Sequence, residues 1–194
     1  MSRLPLLALL LLPCGGCESP HQGPAFIPRS AFEFLLGVRV LDSATYGKEV
    51  DDQGAIGFTF YTVPNDWPVE LEFSLQYSGW DDGDYYHSPT VESTNLELSA
   101  GLRRIFGPPD QHVRPYLGGG VAWVDADLDD SFLGVSGSDT SFGYYLHAGI
   151  VMPLSGMSYW GFDYRVLLDT EIDLGFAGDD GDYYQISIFW GFAF

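Results

Sequence analysis

Bases are scarce in this chain. Its 194 residues hold eight Lys and Arg together against 27 Asp and Glu, and the formal net charge is −19. Lys48 is the one lysine. Binding a phosphate backbone needs a basic footprint, so this composition excludes nucleic acid as a partner. Cysteine is confined to Cys14 and Cys17, near the start. From Glu18 onward there is neither an internal disulfide nor a cysteine-based zinc site to be had. Long apolar runs are also missing. The longest stretch, Leu4 to Leu12, is too short to span a bilayer as a helix. From Ala31 onward no helical period holds for a useful length. Aromatics (16%) and glycine (24 residues), by contrast, are abundant.

Residues 1–17 read as an export signal. Arg3 supplies the positive start, Leu4 to Leu12 the apolar core, and Cys14-Gly15-Gly16 the small residues of a cleavage point. Two processing routes fit. Cys17 suits lipidation, although Cys14 stands where the lipoprotein pattern has Leu. Ordinary cleavage after Gly16 or near Ala25 fits as well. Residues 18–30 are Pro-rich and polar and read as a linker.

The remaining residues, 31–194, carry a period of two that recurs eight times. The runs fall at about Phe32–Leu41, Ala55–Val63, Glu70–Ser78, Asn95–Phe106, Arg114–Val124, Phe142–Met152, Tyr159–Asp169 and Tyr183–Phe194. In the third, Leu71, Phe73, Leu75 and Tyr77 alternate with Glu70, Glu72, Ser74, Gln76 and Ser78. Runs of this length suit tilted strands crossing a bilayer. Short connections (Asn65–Pro68, Gly107–Val113, Pro153–Ser158) alternate with long ones (Asp42–Gly54, Trp80–Ser93, Asp125–Thr140, Thr170–Asp182). That is the asymmetry of periplasmic turns and external loops. The predicted fold class is all-β: an eight-stranded antiparallel up-and-down transmembrane barrel.

Alternation alone does not say which face is inside. Two features assign the polar face to the lumen. Gly37, Gly57, Gly101, Gly118, Gly120, Gly143, Gly149, Gly161 and Gly191 all share it, as a crowded interior demands. The aromatics of the other face gather near strand ends. Tyr77, Trp123, Tyr144 and Tyr184 lie toward the loops. Phe32, Phe60, Phe106, Trp160, Trp190, Phe192 and Phe194 lie toward the turns, so the bilayer has two girdles.

Residues 31–194 resemble the small outer-membrane β-barrel domain family of the OmpA/OmpX type. The resemblance rests on Arg114-Pro115-Tyr116-Leu117-Gly118-Gly119-Gly120-Val121, on Gly161-Phe162-Asp163-Tyr164-Arg165 and on Phe189-Trp190-Gly191-Phe192-Ala193-Phe194. It implies residence in the bacterial outer membrane and contact with its lipid and lipopolysaccharide. It also implies that Phe194 is part of the insertion signal for the outer-membrane assembly machinery. A monomer with no appended peptidoglycan-binding domain is expected.

Seven charged residues fall on the lumen face: Glu33, Arg39, Glu72, Glu97, Arg103, Asp163 and Arg165. Desolvated charges need partners, so Arg103 and Arg165 are expected to contact Glu72, Glu97 or Asp163, plugging the barrel. A gated proton or ion path is the functional alternative. Most of the chain's acids fall in the four long connections. Asp81-Asp82-Gly83-Asp84-Tyr85-Tyr86 is echoed by Asp179-Asp180-Gly181-Asp182-Tyr183-Tyr184. Together with Asp125, Asp127 and Asp129 these are weak candidates for a divalent cation. The last three lack the Gly and the terminal acid of a calcium loop, so the plainer expectation is a hydrated acidic surface and no cofactor.

Catalytic residues are not expected. His87-Ser88 with Glu92 is the one arrangement suggesting lipid acyl chemistry, and neighbours on a strand point to opposite faces. His147 faces the lumen by parity, with Gly149 where a partner Ser would be. The expected function is therefore non-enzymatic, either structural or surface-interactive. A lipid-modifying enzyme and a narrow channel are the alternatives.

Overall fold

The computed structural model describes residues 30–41, 52–64, 67–81, 91–130, 135–154, 157–173 and 181–194. The expected signal, the linker up to residue 29, Cys17 and the His87-Ser88 pair lie outside them. The described chain forms eight strands: β1 Ser30–Leu41, β2 Asp52–Thr62, β3 Glu70–Asp81, β4 Val91–Ile105, β5 Arg114–Asp130, β6 Val135–Pro153, β7 Ser158–Leu168 and β8 Tyr183–Ala193. Each pairs antiparallel with its neighbours in sequence, and β1 pairs with β8 to close the barrel.

Closure is fastened at the chain's end. Ser30 and Phe194 exchange backbone hydrogen bonds of 3.2 and 2.9 Å. The Phe194 ring stacks on Phe32 at 5.7 Å, and Phe32 meets Phe60 at 5.0 Å. A barrel without open edges leaves no backbone donor unpaired in lipid.

The burial pattern is inverted relative to a soluble protein. Phe58 is 58% exposed, Leu98 48%, Ile186 59% and Trp190 48%, whereas Arg39 and Glu97 are 0% exposed. An apolar belt of this extent is stable only against hydrocarbon. The polar face therefore lines the lumen, as the shared glycines require.

The inner face is nonetheless not free of aromatics. Tyr61, Tyr116, Tyr145, Tyr183 and Phe189 are all buried in the lumen. They fit because glycines stand opposite them. A Cβ on Gly101 would strike the Tyr145 hydroxyl, one on Gly149 the Tyr116 ring, and one on Gly161 the Phe189 ring. The lumen is filled by interlocking large and empty positions.

The structure corrects the expected connections. Residues 125–140, expected as a loop, are mostly strand: β5 runs 17 residues and β6 19, against 11 for β7 and β8. The extra six or so residues lift this hairpin by roughly 20 Å of strand. The physical reason is that period two persists past the bilayer. Val124, Ala126 and Leu128 point inward and pack with Leu41, Leu167, Ile172 and Tyr183 over the outer end of the lumen. The intervening Asp125, Asp127 and Asp129 point outward to water. β2 likewise begins at Asp52, and β4 at Val91 rather than at Asn95. Asp169, expected to end β7, lies beyond it with φ 65°, a left-handed turn that Asp tolerates.

Candidate functional site

Two regions carry the chemistry: a charged network inside the barrel and an acidic rim outside it. All seven charged lumen candidates point inward, and they form three connected groups.

The periplasmic group centres on Arg103 of β4. Its Nη1 donates to Glu33 at 2.8 Å and its Nε to Glu70 at 2.7 Å, while its guanidinium lies 3.3 Å from the Tyr61 ring centre. This differs from the expected partners Glu72, Glu97 or Asp163. The reason is level. In the β3–β4 register Arg103 stands opposite Glu70, whereas Glu97 stands opposite Gln76, three inward positions farther from the periplasm. A pocket of about 220 Å³ opens beneath this group, lined by Tyr61, Glu70, Arg103, Arg114 and Tyr159.

The middle group centres on His147 of β6. Its Nδ1 is 3.0 Å from Asp163 Oδ1 on β7. Its Nε2 is 2.9 Å from Glu72 Oε2 on β3, close enough for an ion pair although off the line of a good hydrogen bond. The Tyr116 hydroxyl donates to the same Asp163 oxygen at 2.5 Å. Gly118 makes room for the ring: a Cβ there would collide with His147 Nε2.

The outer group centres on Glu97 of β4, which is fully buried. It accepts from Arg39 of β1 at 3.2 Å, from Arg165 of β7 and from the Tyr183 hydroxyl of β8. Arg165 also donates to Ser99 at 2.9 Å and lies 3.8 Å from the Tyr145 ring centre. Its Nη1 reaches to 3.9 Å from Glu72, linking this group to the middle one. Arg39 donates to Gln185 at 2.9 Å and to Gln76 at 3.3 Å. Toward the outside, Gln53 accepts from Ser78 at 2.7 Å and from Asn95 at 2.9 Å, and donates to Ser93 at 3.0 Å.

Some partners come from adjoining strands, as in Arg103–Glu70 and His147–Asp163, and others from across the lumen, as in Arg165–Glu97 and His147–Glu72. Two charges leaving water recover their hydration only with short, multiple contacts. Exposures of 0–2% at Arg39, Glu72, Glu97, Arg103 and Arg165 put them out of reach of bulk water. An eight-stranded barrel is just wide enough to be filled this way.

Three kinds of network member escape sequence reasoning. Alternation marks Glu70 only as a polar strand residue. Parity places His147 in the lumen but gives it no partner. The lumen tyrosines do not stand out, although Tyr145 shares the parity of His147 and Tyr183 that of Gln185.

On the outer rim, Asp125, Asp127 and Asp129 sit two apart along β5 and face outward. Such residues are roughly 7 Å apart along a strand and project side by side rather than toward a common point. Asp182, another cation candidate, accepts instead from the Thr170 backbone N–H at 3.1 Å. Among the described residues no three metal-ligating side chains converge. The side chains of Asp81, Asp82, Asp84, Asp179 and Asp180 lie outside the described residues. Asp139 on β6 accepts from the Asp173 backbone N–H at 2.8 Å, and Ser141 from that of Glu171 at 3.1 Å, tying the segment after β7 to the raised hairpin. Backbone donors from Asp173 and Thr140 hold the Asp139 carboxyl below the usual aspartate range.

Among solved structures, Neisserial surface protein A is similar, with a TM-score of 0.55 and 15% identity over 85% of this chain and 96% of that one. OprG, an outer membrane protein of Pseudomonas aeruginosa, is similar at 0.53 and 18%, over 86% and 98%. The outer membrane enzyme PagL is similar at 0.50 and 13%, over 84% and 99%. At these identities the likeness is one of fold. No curated protein sequence matches the chain. The family model for the outer membrane protein beta-barrel domain matches residues 24–194. Together with the closed eight-stranded topology and the apolar outer belt, this places the chain in that family and in the bacterial outer membrane.

Proposed function

We propose that this is a sealed, non-enzymatic barrel that works at the cell surface through its raised β4–β5–β6 sheet. The observation that carries the reading is the outward row Asp125, Asp127 and Asp129 on strand that has left the bilayer. A rigid strand holds these acids in a fixed array, with Ser136 and Ser138 on the adjoining strand. A fixed anionic array suits a cationic protein surface and speeds its encounter. The filled lumen supports a surface role rather than transport. The non-enzymatic part rests on His147, whose two nitrogens face carboxylates rather than a hydroxyl nucleophile. Outside the barrel, Glu92 points away from the lumen.

The test is adsorption of a basic probe, polylysine, to vesicles carrying the full chain. The triple variant Asp125→Asn, Asp127→Asn, Asp129→Asn should lose more of the salt-sensitive adsorption than a variant with three other external acids neutralised. Equal adsorption by both would overturn the surface reading. Lipid A mass spectra from a deletion strain should be unchanged, and an altered acylation pattern would revive the enzyme.

A further inference from the structure

The lumen does not balance its charges with arginine alone. Among the described residues, five carboxylates (Glu33, Glu70, Glu72, Glu97 and Asp163) join a network containing three guanidiniums (Arg39, Arg103 and Arg165). His147 is the remaining basic group in it, and it sits between two of the acids.

Hydrogen-bond bookkeeping fixes where a proton must be. A neutral imidazole has one N–H and one bare nitrogen. Asp163 Oδ1 already receives the Tyr116 hydroxyl at 2.5 Å, so it faces His147 Nδ1 as an acceptor and Nδ1 must be the donor. A neutral ring would then leave bare Nε2 2.9 Å from Glu72 Oε2, two acceptors side by side with no proton between them, even though the contact lies off the ideal hydrogen-bond line. Buried contacts of that kind are strongly unfavourable. Arg165, 3.9 Å from the other oxygen of Glu72, favours the ionised carboxylate there. The remaining faces of the ring meet Tyr116 of β5 and Tyr145 of β6 edge-on at 5.4 and 5.6 Å; Arg165, opposite His147 in the β6–β7 register, lies on the Tyr145 ring at 3.8 Å with its charge paired to Glu97. Beyond Tyr116 lies Arg103 of β4, 5.2 Å from that ring's centre and paired with Glu33 of β1 and Glu70 of β3.

We propose that His147 is a proton-held latch across the lumen. As an imidazolium it ties Glu72 of β3 to Asp163 of β7, and loss of the second proton unties them. β3 and β7 share no strand ladder, so the latch braces opposite walls of the barrel.

The direct test is nitrogen NMR of the folded full chain, ¹⁵N-labelled at histidine, in micelles at neutral pH. The His147 ring is identified by its proximity to Tyr116 and Tyr145, so assignment needs no variant. Both ring nitrogens should carry protons. A bare Nε2 would overturn the proposal. A second measurement is the heat-modifiability midpoint on gels, from neutral pH into mild alkali, for wild type and His147→Gln. The wild-type midpoint should fall further than that of the variant, because only the wild type has an imidazole proton to lose. Parallel curves would also overturn it. Should His147→Gln fail to fold, Asp163→Asn keeps the ring but neutralises one arm of the latch, so its alkaline fall should begin at lower pH than that of the wild type, and a fall at the same pH would overturn the proposal.

Discussion

Glu97 on β4 and Arg165 on β7 meet across the barrel, although three strand boundaries separate them around its wall. Neither could be buried alone. Each leaves water only because the other, together with Arg39, Ser99 and Tyr183, replaces the hydration it loses.

Replacing Glu97 by Gln therefore leaves two guanidiniums without their shared carboxylate. Stripping one partner from a buried pair costs ~3–5 kcal/mol. Urea unfolding of vesicle-inserted protein should show that loss. The double variant Glu97→Gln, Arg165→Gln should recover part of it, since no isolated charge is then left at position 165. A cost for the double equal to the sum of the singles would mean the two residues are not coupled.

Gly118 and Gly149 are predicted to tolerate no side chain. A methyl at Gly118 runs into His147, and one at Gly149 into Tyr116 and the Phe162 carbonyl. Overpacking of this kind costs ~1–3 kcal/mol. At Gly54 a Cβ would meet nothing closer than the Gly79 carbonyl at 3.9 Å, so alanine should be accepted there with little change. The same unfolding assay compares all three.

The height of the bilayer can be read by placing a charge at two levels. Leu98→Arg on the outer face of β4 should cost ~2–4 kcal/mol, as arginine does near the midplane of a barrel. Asp127→Arg, on the same sheet but above the membrane, should cost little. Equal penalties at both positions would place β5 and β6 in lipid for their whole length.

The Asp139–Asp173 tether should be sensitive to acid. Folding lowers the Asp139 pKa, so the folded state favours the carboxylate. Its contribution is present above the ordinary aspartate value and is lost as pH falls through the depressed one. Protection of the Asp173 amide from hydrogen exchange, taken relative to the unstructured rate at the same pH, should be present at neutral pH and fall in strong acid. Asp139→Ala should remove that protection at neutral pH as well.

Much of this is legible in the sequence because a membrane barrel writes both of its solvents into one period. Leu71, Phe73 and Leu75 beside Glu72, Ser74 and Gln76 fix the strand, its two faces and, with the glycines, which face is inside. Pairing across the lumen is less legible. Which acid receives Arg103 depends on stagger around the closed barrel, and alternation along one strand carries no stagger. The raised hairpin escapes for a different reason. Asp125-Ala126-Asp127-Leu128-Asp129 is an amphipathic strand with water rather than lipid on its outer side, and acids at every second place resemble a loop when lipid is assumed. His147 is hidden by distance along the chain: its meaning lies in Glu72 and Asp163, 75 and 16 residues away in sequence.

Planar-bilayer recording of the refolded full chain is the measurement that tests the sealed lumen most directly. With Arg39, Glu97 and Arg165 locked together and fully buried, the wild type should pass no discrete current. Stepwise conductance in the wild type, abolished or altered by Glu97→Ala, would mean that the network is a gate on an open path and that the barrel is a channel.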